Sequence, residues 1–228
     1  MANIYSSFLP EHASFEERAE WYARQRRPAY YVGLDLGQSQ DFFALAVIER
    51  SGDSRDTYQF VCNHLQRWKL RTSYPQIVAD AVEMMNSTPL QSGRRRRMLA
   101  VDATGVGAPV IDLFERSKHN SYLEPIQITG GSEVTKEHGV TRVPKRNLVS
   151  TVQVYLQSGR LKIAGQLPEA DTLARELQNF TVKINDNAHD SYGAWREGTH
   201  DDLVLAVALA LWTATEKQVS TIERFRSR

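Results

Sequence analysis

The chain has one cysteine, Cys62, in 228 residues. A single thiol excludes an intramolecular disulfide framework and a Cys-rich zinc module, and Cys62 itself reads as a buried strand residue without a redox role. Long hydrophobic runs are missing. The most apolar stretch, Leu203 to Trp212, is too short to cross a bilayer. The start, MANIYSSFLPEHASFEERAE, lacks the basic and then apolar segments of a secretory signal. A cytoplasmic protein without membrane partners is therefore expected. An excess of one charge is missing too: 28 basic against 27 acidic residues leave a formal net charge of +1. That balance neither demands nor excludes nucleic acid, so the position of the charges matters more than their sum. No internal repeat or low-complexity linker is present. With 41% hydrophobic and 24% charged residues, the composition excludes a wholly disordered chain, a collagen-like repeat and a long coiled coil.

The charges that are there fall into groups. Arg94, Arg95, Arg96 and Arg97 form the densest basic run, Arg67, Lys69 and Arg71 surround Trp68, and Arg24, Arg26 and Arg27 form a third group. Each also reads as a solvated loop. Residues 1–28 pattern as a charged helical lead-in, with Ser14 and Glu17 spaced as a capping box and Pro28 as the stop. Three strands are expected next: Tyr30 to Leu36, Phe42 to Arg50, and Thr57 to Asn63 with continuation towards Trp68. Their short connections predict an antiparallel meander. Apolar residues at helical spacing then predict helices over Tyr74 to Asn86 and Val106 to Ser117, alternating with strands Met98 to Ala103 and Leu123 to Ile128. That alternation is the signature of parallel βαβ pairing. Gly130 to Val143 reads as a protruding hairpin, Lys145 to Gln157 as an amphipathic helix stopped by Gly159, and Leu161 to Ile163 as a short strand. A helix from Pro168 to about Asn179, strands at Phe180 to Ile184 and Tyr192 to Trp195, and a helix from about His200 to Lys217 complete the pattern. The expected fold is α/β: a mixed sheet with an antiparallel meander of strands 1–3 and parallel strands 4–5, flanked by helices, with an accessory hairpin. The expected division is a lead-in at 1–28, a main domain at 29–217 and a charged tail at 218–228.

Carboxylates sit where such a fold gathers ligands. Asp35 lies in an apolar strand and shares a face with Gly33 and Gly37. An ionised carboxylate there is costly unless paired or bound to a cation. Asp102 ends the fourth strand, at the edge where open α/β sheets place ligands. A cap on the following turn is the structural alternative. Asp201 and Asp202 open the last helix, Asp202 three residues after Thr199, a good N-cap, and the helix dipole alone could account for either. The rest of that helix is apolar on all sides, so it must be buried. If strands one and four are adjacent, the acids converge. A divalent cation relieves their repulsion, and an all-oxygen donor set favours Mg²⁺ or Mn²⁺ over zinc.

The succession GLDLGQSQDFFALAVIE, LAVDATGVGAPVIDLF, VPKRNLVSTVQVYLQSGRLKI and GTHDDLVLAVALALW resembles the nuclease domain of the large terminase subunit of tailed bacteriophages, over roughly residues 30–215. The resemblance implies an RNase H-like fold. It also implies a phosphodiester hydrolase: a divalent-metal-dependent endodeoxyribonuclease that cuts concatemeric viral DNA during genome packaging. By that resemblance Asp35, Asp102 and Asp201 correspond to the metal-binding acids, and Asp202 shares or replaces the role of Asp201. Asp41 matches a further acidic position of the first motif. Lys145 matches a basic residue opening the helix after the hairpin. Two Mg²⁺ or Mn²⁺ ions are implied, with water as the nucleophile and no covalent enzyme intermediate. Double-stranded DNA is the implied partner, contacted by Arg94, Arg95, Arg96, Arg97, Lys136, Arg142, Lys145 and Arg146. Further implied partners are a separate ATPase motor, a small terminase subunit and a portal, in a phage-infected or prophage-bearing bacterial cell.

No G-x-x-x-x-G-K-[ST] motif occurs, and the 29 residues before Tyr30 cannot house an ATPase motor. ATP-driven translocation is therefore not expected of these residues. Other classes compete with the nuclease: a non-catalytic RNase H-like DNA-binding module, a Holliday-junction resolvase and, least of all, an actin-like or sugar-kinase ATPase suggested by DLGQS and DATGVG. Bland roles suit the remaining residues. His200 caps or assists the site, His138 is simply exposed, and Tyr192 and Trp195 pack.

Overall fold

The structure is a computed structural model that describes residue 14 and residues 28–37, 42–52, 54–91, 97–105, 107–186 and 201–216. The expected lead-in helix, the strand at Tyr192 to Trp195 and the charged tail lie outside the described residues. So do Asp41, Arg94, Arg95, Arg96, Thr199 and His200.

Three strands open the fold: β1 (Ala29–Asp35), β2 (Ala44–Ser51) and β3 (Gln59–Arg67). They pair antiparallel, as short connections require, with a register shift between Val47 and Ile48. Helix α1 (Tyr74–Asn86) starts with proline in its first turn, and a single turn, α2 (Thr88–Gln91), follows it. Next come β4 (Arg97–Asp102), α3 (Gly107–Arg116) and β5 (Ser121–Thr129). The hairpin β6 (Thr135–Glu137) and β7 (Val140–Pro144) turns on His138 and Gly139, whose φ values of 49° and 83° suit a two-residue hairpin loop. Helix α4 (Lys145–Gln157) and strand β8 (Leu161–Ile163) lead to α5 (Ala170–Asp186) and α6 (Asp202–Glu216).

All strands among the described residues join one eight-stranded sheet in the order β6-β7-β5-β4-β1-β2-β3-β8. β4 pairs parallel to β1 and to β5, so the crossover helices fall on the sheet faces. One face carries α1, α2 and α3 through Ile77, Ala81, Met85, Leu90, Val110 and Phe114. The other carries α4, α5 and α6 through Leu148, Val152, Leu173 and the whole length of α6. Every residue of α6 from Asp202 to Thr215 is buried. This is what an all-round apolar helix demands, each buried leucine contributing roughly 2 kcal/mol.

Two local expectations fail. Phe180 to Ile184 is not a strand but the continuation of α5. Its β-branched and aromatic residues favour a strand locally, but the amphipathic phase set by Leu173 and Leu177 carries the helix through them. That helix also begins at Ala170, after a turn in which Ala170 N–H donates to Leu167 O, rather than at Pro168.

Candidate metal-binding acidic site

Strand pairing lines up the site. Asp35 ends β1, opposite Ala44 of β2, and Ala44 lies opposite Arg67 of β3. On the other side Leu34 pairs with Val101, which brings the next residues, Asp35 and Asp102, side by side at the carboxyl ends of two parallel strands. Neighbouring strands run about 4.8 Å apart, and directly opposed residues share a face. That face looks at α6: a Cβ on Gly33 would lie 2.0 Å from Ala206 O and 2.7 Å from Ala210 N. The glycine is therefore the contact point that lets the buried helix press on β1 beside Asp35.

Helix α6 delivers the remaining acids. Its first internal bond runs from Leu205 N–H to Asp201 O, so Asp201 stands at the start of the helix. The next amides, Leu203 and Val204, donate to Glu176 Oε2 of α5 at 3.1 and 3.2 Å. A carboxylate distant in sequence thus caps the helix and meets its dipole. Glu176 Oε1 accepts from Arg67 Nη2 at 2.9 Å, and the same nitrogen donates to Asp202 Oδ2 at 2.7 Å. The Arg67 guanidinium also lies 4.2 Å from the Phe42 ring centre. Asp201 Oδ2 accepts from Lys145 Nζ, from the first turn of α4, at 3.1 Å. Asp102 Oδ1 accepts from Thr104 N–H at 2.8 Å, an amide of the turn before α3 and not of the helix itself.

The electrostatics reflect this crowding. Asp35 is 5% exposed. Burial first, then the fields of Asp102, Asp202 and Asp201 in that order, push its carboxyl well above the usual range, with Lys145 opposing. Burial also raises Asp102, against hydrogen bonds from Thr104 and the charge of Lys145. Burial lowers Lys145, while Asp201, Asp35 and Asp102 pull it back up. Glu176 rises to about 7, chiefly through burial, with Arg67 and the two amides opposing.

The donor chemistry suits a hard divalent ion: oxygens only, buried, and mutually repelling. Among the described residues no three acidic, histidine or cysteine side chains are already gathered in a coordinating arrangement. Asp102, Asp201 and Asp202 are held instead by an amide and by cations of the chain itself.

The expected DNA-binding residues separate. Arg97 does not line a surface: it is 4% exposed and donates from Nε and Nη2 to Asn120 O, at 3.2 and 2.7 Å. As the first residue of β4 it joins the sheet, so a backbone-tracking role for it is withdrawn. Lys145 faces the acids. Lys136 pairs with Glu124 at 3.4 Å, and Arg142 with Glu137 at 2.8 Å. Arg146 donates to Ser132 O at 2.8 Å and is exposed. Cys62 is buried, its thiol pushed up to about 12 by burial.

Two residues of the site escape sequence reading. Arg67 stands out only as one of a basic group, and its place opposite Ala44 is a property of strand register. Glu176 gives one signal that is easily overlooked, a charge between Leu173 and Leu177 on the buried stripe of α5.

Acids at the carboxyl ends of the central strands of a mixed sheet, closed by a buried terminal helix, define an RNase H-like α/β domain. The chain belongs to the Terminase RNaseH-like domain family, whose profile matches residues 32–213. A search of curated proteins finds no match. Among solved structures, the human cytomegalovirus terminase nuclease domain, Mn-soaked and inhibitor-bound, is 15% identical with a TM-score of 0.57, covering 84% of this chain and 85% of that one. The same domain soaked with Mn alone is 16% identical with a TM-score of 0.50, covering 85% and 86%. The large terminase nuclease of thermophilic phage G20c is 19% identical with a TM-score of 0.49, covering 80% and 81%.

Proposed function

We propose that this chain is a divalent-metal-dependent endodeoxyribonuclease that cuts concatemeric viral DNA during packaging. The observation that carries the reading is the side-by-side placement of Asp35 and Asp102 beneath the start of α6, in a chain of the terminase RNase H-like family. Asp35, Asp102 and Asp201 would hold two Mg²⁺ or Mn²⁺ ions, with Asp202 sharing or replacing the role of Asp201. When bound, the ions supply charge that activates water and offsets the negative charge of the phosphodiester transition state. Asp35, raised in proton affinity by burial and by the neighbouring acids, would be favoured as the carboxylate by positive charge beside it. Lys145 supplies an ammonium between the acids and incoming phosphate. It limits carboxylate repulsion in the empty protein and is a further group able to meet a phosphate oxygen. Lys136, Arg142 and Arg146, with Arg94, Arg95 and Arg96, would bind the duplex backbone without sequence preference and with strong salt dependence. An ATPase motor, a small terminase subunit and a portal are the packaging partners of this reading, within an infected bacterial cell. No helix among the described residues is long and apolar enough to cross a membrane.

The ion pairs already made by Asp201 and Asp202 favour one competitor, a DNA-binding module without catalysis. A plasmid cleavage assay in Mn²⁺ separates the two. Wild type nicks and linearises the plasmid, and Asp35→Asn and Asp102→Asn lose activity by about 10³-fold, the several kcal/mol that metal-borne charge supplies. Comparing Asp201→Asn with Asp202→Asn assigns the third ligand. Wild-type binding of DNA without cleavage in any divalent ion, or full cleavage by Asp35→Asn, defeats the proposal.

A further inference from the structure

Bringing the start of α6 to Asp35 is electrostatically unfavourable. Asp35 and Asp102 end adjacent strands, Asp201 and Asp202 stand at the start of the helix, and the helix is capped by yet another carboxylate, Glu176. Something must hold this turn in place against the repulsion. Lys145 holds Asp201 from α4, and the other contacts converge on Arg67, whose Nη2 donates to both Glu176 and Asp202. Arg67 is anchored in turn. It ends β3 in the same cross-strand row as Asp35, separated from it by Ala44 alone, and its guanidinium lies on the Phe42 ring. The arrangement therefore ties sheet, α5 and α6 together at the edge where the acids meet.

We propose that Arg67 and Glu176 are positioning residues of the acidic site: their buried pair clamps the first turn of α6 and so holds Asp201 and Asp202 over Asp35 and Asp102. This role rests on the metal-dependent reading above. Neither residue ligates the ion. Both act by fixing carboxylates that would otherwise spread apart.

The sign of one measurement separates clamping from a simple field effect. Arg67 is a cation near a cation site, so removing its charge should by field alone tighten Mn²⁺ binding. Loss of the clamp should weaken it. The test is Mn²⁺ binding to the full chain, without DNA, followed by electron paramagnetic resonance of the free ion. Circular dichroism and metal-free melting are recorded alongside. The expected result is a dissociation constant about 10- to 100-fold weaker for Arg67→Met, the usual consequence of losing a residue that orients a ligand. Arg67→Lys keeps the charge and carries the test if Arg67→Met does not fold. It should bind Mn²⁺ more weakly than wild type and more tightly than Arg67→Met. Equal or tighter binding by a folded Arg67→Met, or wild-type affinity in Arg67→Lys when that variant carries the test, overturns the clamp. Failure of wild type itself to bind Mn²⁺ instead overturns the nuclease reading, so the two failures are distinguishable.

Discussion

Gly33→Ala tests the packing on which the site depends. The added methyl would lie 2.0 Å from Ala206 O and 2.7 Å from Ala210 N. Both are backbone atoms of α6, so no side chain can rotate away. Restoring ordinary contact requires α6 and β1 to separate by about 1 Å or more. The helix is buried on all sides, which spreads that displacement through the core around Leu203, Val207 and Leu211. Overpacking of this kind costs roughly 2–3 kcal/mol, which for a chain of this size lowers the melting temperature by roughly 4–12 °C. The same shift lifts Asp201 and Asp202 away from Asp35, so Mn²⁺ affinity should fall with stability. Gly130→Ala is the control. Nothing lies within 4 Å of its Cβ position, and the change should stay within about 0.5 kcal/mol. Thermal melting and chemical denaturation of the metal-free protein give both values. A Gly33→Ala protein that melts within about 1 °C of wild type would refute the close approach of α6 to β1.

Two carboxyls set an expected pH dependence. Glu176 titrates near 7 when folded against an ordinary 4.5. Its stabilising contribution is thus complete below the ordinary value and is lost as pH rises through 7, by up to about 3 kcal/mol. Denaturation midpoints of wild type and Glu176→Gln should therefore diverge between those limits and run parallel outside them. Asp35 is raised in the same direction, so metal-free Asp35→Asn should be more stable than wild type at neutral pH, with the difference vanishing in acid. Among the basic residues, Arg97→Ala should destabilise the fold and leave the salt dependence of DNA binding unchanged, since Arg97 is buried against Asn120 O. Lys136→Ala, Arg142→Ala and Arg146→Ala should each reduce the slope of log affinity against log salt by about 1 for each phosphate left unneutralised.

Periodicity makes much of the fold legible. The meander, the βαβ alternation, the hairpin and the buried last helix rest on local alternation and helical spacing, which the chain carries in its own order. Lys145–Gln157 is readable to the residue because its apolar stripe ends at Gly159, which takes the positive φ of 67° expected after a helix. The stretch 180–184 misleads because a short β-branched run has no period long enough to outweigh its propensity. Of the site, the four aspartates are visible as charges in apolar settings. Arg97 misleads because a run of like charges says nothing about which member enters a strand.

Composition and pattern by themselves determined that acids would stand at strand ends and at the mouth of a buried helix, because an unpaired carboxylate in an apolar segment demands a partner. Only the tertiary structure decided who those partners are. Strand order set Asp35 beside Asp102, register set Arg67 in their row, and the packing of α5 on α6 brought Glu176 to the helix start. Such contacts join residues far apart along the chain, Arg67 and Asp202 among them, and no local pattern encodes a pairing whose energy exists only once the sheet has closed.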